Sequence, residues 1–142
     1  MTADMQDIQD IEAIKQLRAR YTRAIDTKDW DDYRQTLADD FTMDSGGRTT
    51  SGADVFVTSL KQHLSEALTV HHAHMPEIKL TSPTAATGVW AMEDLVRWPD
   101  GRELHGYGHY HDTYEKVDGG WRVKSSALTR LRVDSKGMER VE

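Results

Sequence analysis

The chain has 142 residues, a formal net charge of −6 and no cysteine. This length is enough for one domain with a buried core and an internal pocket. Charges of both signs are spread along the chain, which argues against nucleic-acid binding, and the lack of cysteine excludes disulfides and thiolate chemistry.

The first predicted element is an amphipathic helix that ends near Asp26 and Thr27. Apolar residues recur at three- and four-residue steps from residue 8 to residue 25, and charged residues occupy the opposite face. Asp29 is the expected N-cap of a short second helix. A strand over residues 41–44 and a Gly-Gly turn follow, and a third helix is predicted from Gly52 to about Leu68.

The remainder of the chain is rich in β-forming residues. Four runs cover residues 70–80, 85–97, 103–117 and 121–133, and turn signals separate them at Ser82-Pro83, Asp100-Gly101 and Asp118-Gly119. Helices followed by such a meander predict an α+β fold, in which the helices pack on one face of a cone-shaped, curved antiparallel sheet. We expect residues 1–142 to form a single domain.

The location of the protein is predicted from what the sequence lacks. No apolar stretch is long enough to span a membrane, and the acidic N-terminus MTADMQDIQD does not resemble a secretory signal. We therefore expect a cytoplasmic protein that binds neither nucleic acid nor a membrane.

Four polar residues fall opposite one another when each hairpin is folded symmetrically about its turn. His71 then faces Asp94, which in turn faces Tyr107, and Tyr107 faces Arg130. Directly opposed residues on antiparallel strands share a face, with Cβ atoms about 5 Å apart. We expect Asp94 to orient His71 as a general base, provided that no bulge shifts the register. Arg130 would balance the carboxylate or stabilise an oxyanion.

Two residues of the first helix are further candidates. Tyr21 lies on the apolar stripe, where its hydroxyl needs a partner or a ligand, although a core ring with a tip at the surface is the alternative. Asp26 lies in the last turn, where the helix dipole disfavours a carboxylate. We expect Asp26 to have a specific cationic or hydrogen-bonding partner, and a solvated surface Asp is the alternative.

Histidines cluster just before Met75. Strand alternation places His72 and His74 on one face and His71 on the other, so the cluster is not one site. A zinc site would have to combine a pair such as His109 and His111 with a distant carboxylate. No spacing in the chain matches a known zinc pattern, so no metal is predicted.

Four stretches of the sequence resemble a known family: DIEAIKQLRARYTRAIDTKDWDD, HHAHMPEIKL, TAATGVWAMEDL and HDTYEKVDGGWRVK. The resemblance runs over about residues 10–132 and is to the SnoaL-like branch of the nuclear transport factor 2 superfamily, most closely the bacterial bile-acid 7α-dehydratases. Scytalone dehydratases and hexachlorocyclohexane dehydrochlorinases are more distant relatives. The resemblance implies a cystatin-like α+β barrel, a homotrimer, no cofactor and a small hydrophobic ring substrate.

The resemblance also implies a role for individual residues. Tyr21 matches the tyrosine that binds the substrate oxygen, His71 matches the general base, and Asp94 matches its paired carboxylate. Asp26 matches an Asp at the helix end, and Arg130 matches an Arg of the last strand. In the mechanism that we expect, Asp26 if protonated, or a bound water, would assist departure of hydroxide. Substrate contacts are expected from four further side chains: Phe56, Trp90, Tyr107 and His109.

Together these features predict a cofactor-independent dehydratase that acts on a steroid-like or alicyclic carbonyl compound. The same residues without a leaving group would make an isomerase, and with a halide leaving group they would make a dehydrohalogenase. A non-catalytic module that binds a small hydrophobic ligand is the alternative from a different class. We also expect an exposed aromatic patch on the convex face, carrying Tyr110, Tyr114 and Trp121, that a homotrimer would cover.

Overall fold

The computed structural model describes residues 3–138, which form three helices and a six-stranded sheet. Their order along the chain is α1 (Ala3–Asp26), α2 (Trp30–Gln35), β1 (Leu37–Ser45), β2 (Arg48–Ser51), α3 (Ala53–Leu64), β3 (Leu68–Ser82), β4 (Ala85–Arg97), β5 (Glu103–Val117) and β6 (Gly120–Lys136). This arrangement confirms the predicted α+β fold with N-terminal helices and a curved sheet. Within residues 3–138 no helix is long and apolar enough to cross a bilayer.

The helices follow the sequence pattern with one difference. Helix α1 ends at Asp26 as predicted, and the Asp29 side chain caps α2 by accepting a hydrogen bond of 3.1 Å from the Asp32 backbone N–H. Helix α3 ends at Leu64, four residues before the predicted end. Leu68 keeps the helical spacing but begins β3 instead, because its backbone pairs with Arg97 in the sheet.

The sheet has the strand order β2-β1-β6-β5-β4-β3. The last four strands form the predicted antiparallel meander, and β3 lies at one edge. Strand β1 lies parallel to β6, a pairing between distant segments that local turn signals cannot indicate. The short strand β2 pairs with β1 across the predicted Gly-Gly turn.

The two faces of the sheet have different environments. On β4 the side chains of Trp90, Met92 and Asp94 are buried, and we call the face that carries them the inner face. The intervening residues, such as Glu93, lie on the outer face. Strand β5 alternates in the same way, and side chains of α1 pack against the inner face.

The predicted aromatic patch on the convex face is wrong. Tyr110, Tyr114 and Trp121 are 4%, 1% and 8% exposed, respectively, and belong to the buried core. Tyr110 and Tyr114 lie on the inner positions of β5, because alternate residues of a strand point to opposite faces. These residues therefore give no support to the predicted homotrimer, which stays a prediction.

A fully buried ion pair joins α1 to the inner face. Arg18 Nε lies 3.2 Å from Asp112 Oδ2, and neither side chain is exposed. The guanidinium lies between the rings of Tyr21 and Tyr110, about 4 Å from each centroid. Burial works to lower the pKa of Arg18, but the charge of Asp112 together with the neighbouring tyrosines outweighs it, and the pKa is raised above its ordinary value.

This pair generates a prediction about stability. Asp112→Asn should lower the free energy of unfolding by about 3–5 kcal/mol, because it keeps the shape of the side chain but leaves the buried Arg18 charge unpaired. Urea denaturation followed by circular dichroism measures the change. As a control, Asp40→Ala breaks an exposed 2.7 Å ion pair with Lys124 and should have little effect. Equal effects of the two variants would contradict the prediction.

Candidate active site

The end of α1 positions the first residue of the site, Asp26. The backbone N–H groups of Lys28 and Asp29 donate hydrogen bonds to the carbonyls of Ile25 and Ala24, respectively. This is the Schellman pattern of helix termination, and Lys28 takes the left-handed conformation that it requires, with φ of 61°. The turn stops the helix and leaves the Asp26 carboxylate against β3.

Asp26 accepts three hydrogen bonds from β3. The His71 ring reaches Oδ1 through Nδ1 at 2.7 Å, the His71 backbone N–H reaches Oδ2 at 2.8 Å, and the Thr69 hydroxyl reaches Oδ1 at 2.9 Å. Burial works to raise the pKa of Asp26, but these hydrogen bonds outweigh it and the pKa is lowered. The specific partner expected of Asp26 is therefore His71.

The ionised state of Asp26 fixes the tautomer of the imidazole. An ionised carboxylate can only accept hydrogen bonds, so the proton of the shared bond belongs to Nδ1 of His71. The other ring nitrogen, Nε2, is then the atom that can take a proton from a substrate. An oriented imidazole of this kind is the arrangement that general base catalysis requires.

Lys28 extends the hydrogen bonds around Asp26. Its Nζ donates to the Thr69 hydroxyl at 2.8 Å, and that hydroxyl donates to Asp26. Burial lowers the pKa of Lys28, and the negative charge of Asp26 opposes this effect. Neither Lys28 nor Thr69 was predicted from the sequence, because nothing in the local pattern connects them to Asp26.

The predicted dyad of His71 and Asp94 is wrong in its side-chain contacts, although its register is correct. The two residues are direct cross-strand partners. The Asp94 carboxylate, however, is bound by Arg130 through two hydrogen bonds of 2.6 and 3.1 Å. The guanidinium fork matches both carboxylate oxygens, and His71 takes the carboxylate of Asp26 instead.

The register between β4 and β5 differs from the prediction by one residue. Arg97 pairs with Glu103 around a five-residue loop, so Asp94 faces Gly106 and not Tyr107. A Cβ atom at position 106 would collide with Arg130 Nη1 and Asp94 Oδ1. The glycine therefore makes room for the ion pair, a role that glycine inside a strand can indicate.

The same shift moves two predicted residues away from the site. Tyr107 lies on the outer face and stacks on His105, with ring centroids 4.8 Å apart. His109 is also on the outer face, where its ring lies 6.3 Å from that of His111. Strand alternation places both opposite to the inner face, so the expectation that Tyr107 and His109 contact the substrate is wrong.

The other predicted side chains lie inside the fold. Trp90 is on the inner face and donates a 2.8 Å hydrogen bond to the Tyr114 hydroxyl. The Tyr21 ring meets that of Tyr33 edge-on at 4.7 Å, and burial raises the pKa of the Tyr21 hydroxyl, which is therefore a neutral donor. Phe56 packs against Phe41 in the core, with ring centroids 5.2 Å apart.

A cleft of about 340 Å³ opens between α1 and β3 beside the Asp26–His71 pair, which we call the dyad from here on. It differs from the predicted pocket between the first and third helices, because no residue of α3 lines it and six of its nine lining residues carry polar or charged side chains. The lining residues are Lys15, Arg18, Ala19, Thr22, His71, His72, Ala73, His74 and Trp90. Of the five predicted catalytic residues, His71 is the one that lines this cleft. Asp26 orients the His71 ring through their hydrogen bond.

Comparisons with known proteins agree with this fold. The profile of the SnoaL-like domain matches residues 6–127. Probable cyclase FGR4 from Gibberella zeae is 23% identical over 137 residues, which cover 83% of this chain and 89% of that protein.

Solved structures are also similar. A candidate scytalone dehydratase from Novosphingobium aromaticivorans superposes with a TM-score of 0.87 at 21% identity, covering 98% of this chain and 99% of that one. Hexachlorocyclohexane dehydrochlorinase LinA-type3 from Novosphingobium barchaimii superposes with a TM-score of 0.82 at 16% identity, covering 99% of both chains. At these identities the similarity shows the shared fold.

The close approach at Gly106 generates a prediction. Gly106→Ala should lower the free energy of unfolding by about 1–3 kcal/mol, because the new methyl group must push Arg130 away from Asp94. Urea denaturation measures the loss. Gly120→Ala is the control, because the nearest atom to a Cβ there is the Val117 carbonyl oxygen at 3.8 Å. An unchanged stability of Gly106→Ala would show that the ion pair does not need the space.

Proposed function

The chain belongs to the family of SnoaL-like domains, and from this premise we propose that it is a cofactor-independent lyase. Its substrate in this proposal is a hydrophobic ring compound with a carbonyl group, from which it eliminates water. The superfamily includes dehydratases, isomerases, dehydrochlorinases and cyclases, so membership is compatible with elimination but does not select it. The observation that carries the proposal is the Asp26–His71 pair beside the cleft.

The chemistry begins at Nε2 of His71. It removes a proton from the carbon next to the substrate carbonyl, where conjugation makes the proton acidic. Asp26 holds the ring in the required tautomer and stabilises the imidazolium that forms. Proton transfer by a positioned side chain contributes about 10²–10⁴-fold to the rate.

The leaving hydroxyl departs as water in the second part of the reaction. The imidazolium of His71 returns a proton to it, which restores the neutral base and closes the proton balance. Asp26 does not supply this proton, because its lowered pKa keeps it ionised. This differs from the expectation that a protonated Asp26 assists departure of hydroxide.

Two further residues stabilise charge in this proposal. Tyr21 does not itself line the cleft, but its ring lies 4.1 Å from the guanidinium of Arg18, which does. In this proposal the substrate carbonyl reaches the Tyr21 hydroxyl, which donates to the oxygen that becomes an enolate, an effect of about 3 kcal/mol when the donor is preorganised. Arg130 binds both oxygens of Asp94 and holds that carboxylate away from His71, so that Asp26 remains the sole carboxylate hydrogen-bonded to His71 among residues 3–138.

The same base can support other reactions. Without a leaving group it would shift a double bond, as an isomerase does, and with a halide it would release acid. A module that binds a ligand without turnover is the alternative from another class. The homotrimer, the cytoplasmic location and the specific relation to bile-acid dehydratases belong to this proposal as predictions.

The dyad generates the first test. His71→Ala should abolish loss of water from the substrate while ligand affinity changes by less than about tenfold, because the imidazole acts mainly in the transition state. Asp26→Asn should lower the rate by about 10²-fold or more, because the amide can favour the wrong tautomer. Mass spectrometry after incubation with 3-oxo-Δ4 steroids and cyclic β-hydroxy ketones measures turnover.

The controls separate the alternatives. His109→Ala, on the outer face, should retain the full rate. Recovery of every compound unchanged but bound would favour the binding module, and release of chloride from chlorinated rings would favour a dehydrohalogenase. Wild-type turnover by His71→Ala would remove His71 as the base.

Tyr21 gives a separate prediction. Tyr21→Phe should lower the rate by about 10²-fold or more, because it removes a donor aimed at developing negative charge. The ring contacts with Arg18 and Tyr33 remain, so the melting temperature should change little. A rate equal to that of the wild type would exclude Tyr21 from oxygen binding.

A further inference from the structure

We propose that the outer face of the sheet holds a binding site for a zinc-class divalent cation, formed by His72, His74 and Glu93. The side chains offer two imidazole nitrogens and one carboxylate oxygen, all within 4.8 Å of one another. We call these three residues the outer-face triad. No residue of the triad takes part in the proposed elimination reaction.

The backbone brings the triad together. His72 and His74 are two residues apart on β3, so their side chains share a face, and their ring centroids lie 5.6 Å apart. Glu93 on β4 is the direct cross-strand partner of His72. His74 pairs with Ala91, which leaves Glu93 in the diagonal position that a long side chain can reach.

A neighbouring histidine fixes the carboxylate. His105 Nε2 lies 2.6 Å from Glu93 Oε2, and the His105 ring stacks on Tyr107. Hydrogen bonds of this kind orient the carboxylates that bind metals and leave the other oxygen to the ion. Glu93 is half-buried, whereas His72 and His74 are exposed, so an ion can reach the two imidazoles from solvent.

The ligand chemistry selects the type of ion. Two imidazoles and one carboxylate suit Zn²⁺ and its neighbours in the first transition row, whereas Ca²⁺ and Mg²⁺ prefer oxygen ligands. Three protein ligands leave one position of a tetrahedral ion to water. Ligands of one tetrahedral zinc ion lie roughly 3.3 Å apart, given bond lengths of about 2.0–2.1 Å, and rotation of the exposed rings can close the remaining gap.

The sequence does not indicate this site, because its ligands come from two strands. Zinc patterns along a chain rely on fixed spacing, and here the third ligand lies 19 residues after His74. The same strand carries His71, but alternation directs that ring to Asp26 on the inner face. The outer-face triad therefore uses different side chains from the Asp26–His71 pair, although His72 and His74 also line the cleft beside that pair.

The chain offers a matched control for the test. His109 and His111 on β5 have the same two-residue spacing on the same face as His72 and His74. His111 Nε2 lies 3.1 Å from the Thr129 hydroxyl, and no carboxylate joins this pair in a candidate cation cluster among residues 3–138. A double variant of this pair removes the same number of outer-face imidazoles, one exposed and one half-buried, without touching the triad.

The experiment measures zinc binding by the full chain without a purification tag. Calorimetric titration with zinc chloride should give one ion per chain at micromolar affinity, and titration with magnesium chloride should give none. Loss of a residue that hydrogen-bonds a metal ligand typically weakens metal binding by about 10–100-fold. His72→Ala, His74→Ala and Glu93→Gln each remove a ligand itself, so each should weaken zinc binding by at least that much. His105→Ala should weaken it by about tenfold.

A second readout identifies the ligands. Cobalt(II) bound in place of zinc should give the visible absorption of a tetrahedral site, which the His72→Ala/His74→Ala double variant should lose and the His109→Ala/His111→Ala double variant should keep. Circular dichroism checks that each variant is folded. Absence of saturable zinc binding by the wild type would overturn the proposal, as would equal zinc affinities of the two double variants.

Discussion

The hydrogen bonds that Asp26 accepts from β3 are the constraint on which the site depends. Strand β3 lies at an edge of the sheet, so only β4 pairs with it. Asp26 binds the backbone and the ring of His71 and the hydroxyl of Thr69, and it therefore holds the edge strand against α1. The contact that orients the imidazole is also a contact that holds the fold together.

The distribution of charge explains why the exchangeable proton resides at the Asp26–His71 pair. The carboxylates of Asp94 and Asp112 on the inner face are each paired with an arginine, which stays protonated in proteins. Asp26 pairs with Nδ1 of His71, whose second ring nitrogen can accept a proton. Among the three, the Asp26–His71 pair alone can transfer a proton without leaving an arginine unpaired.

The sequence predicts the elements better than it predicts the contacts. Strands β4 and β5 have their predicted bounds, because alternation and turn residues are local signals. The pairing of His71 with Asp94 also agrees with the structure. The odd-length loop after Arg97, however, places Tyr107 on the outer face. Register shifts between β5 and β6 then pair Tyr107 with Arg132 and not with Arg130. The contact of Asp26 joins distant segments, so no local pattern specifies its partner.

The residues opposite the histidines decide what each histidine does. His71 and His72 are adjacent in sequence, and their partners on β4 are both acidic, Asp94 and Glu93. On the inner face Arg130 binds the Asp94 carboxylate, so the His71 ring is hydrogen-bonded to Asp26 of α1 instead. On the outer face no arginine is bonded to Glu93 among residues 3–138, and the hydrogen bond from His105 leaves one of its oxygens to a ligand. A run of histidines on a strand therefore divides into two sites, and the neighbouring strand sets the chemistry of each.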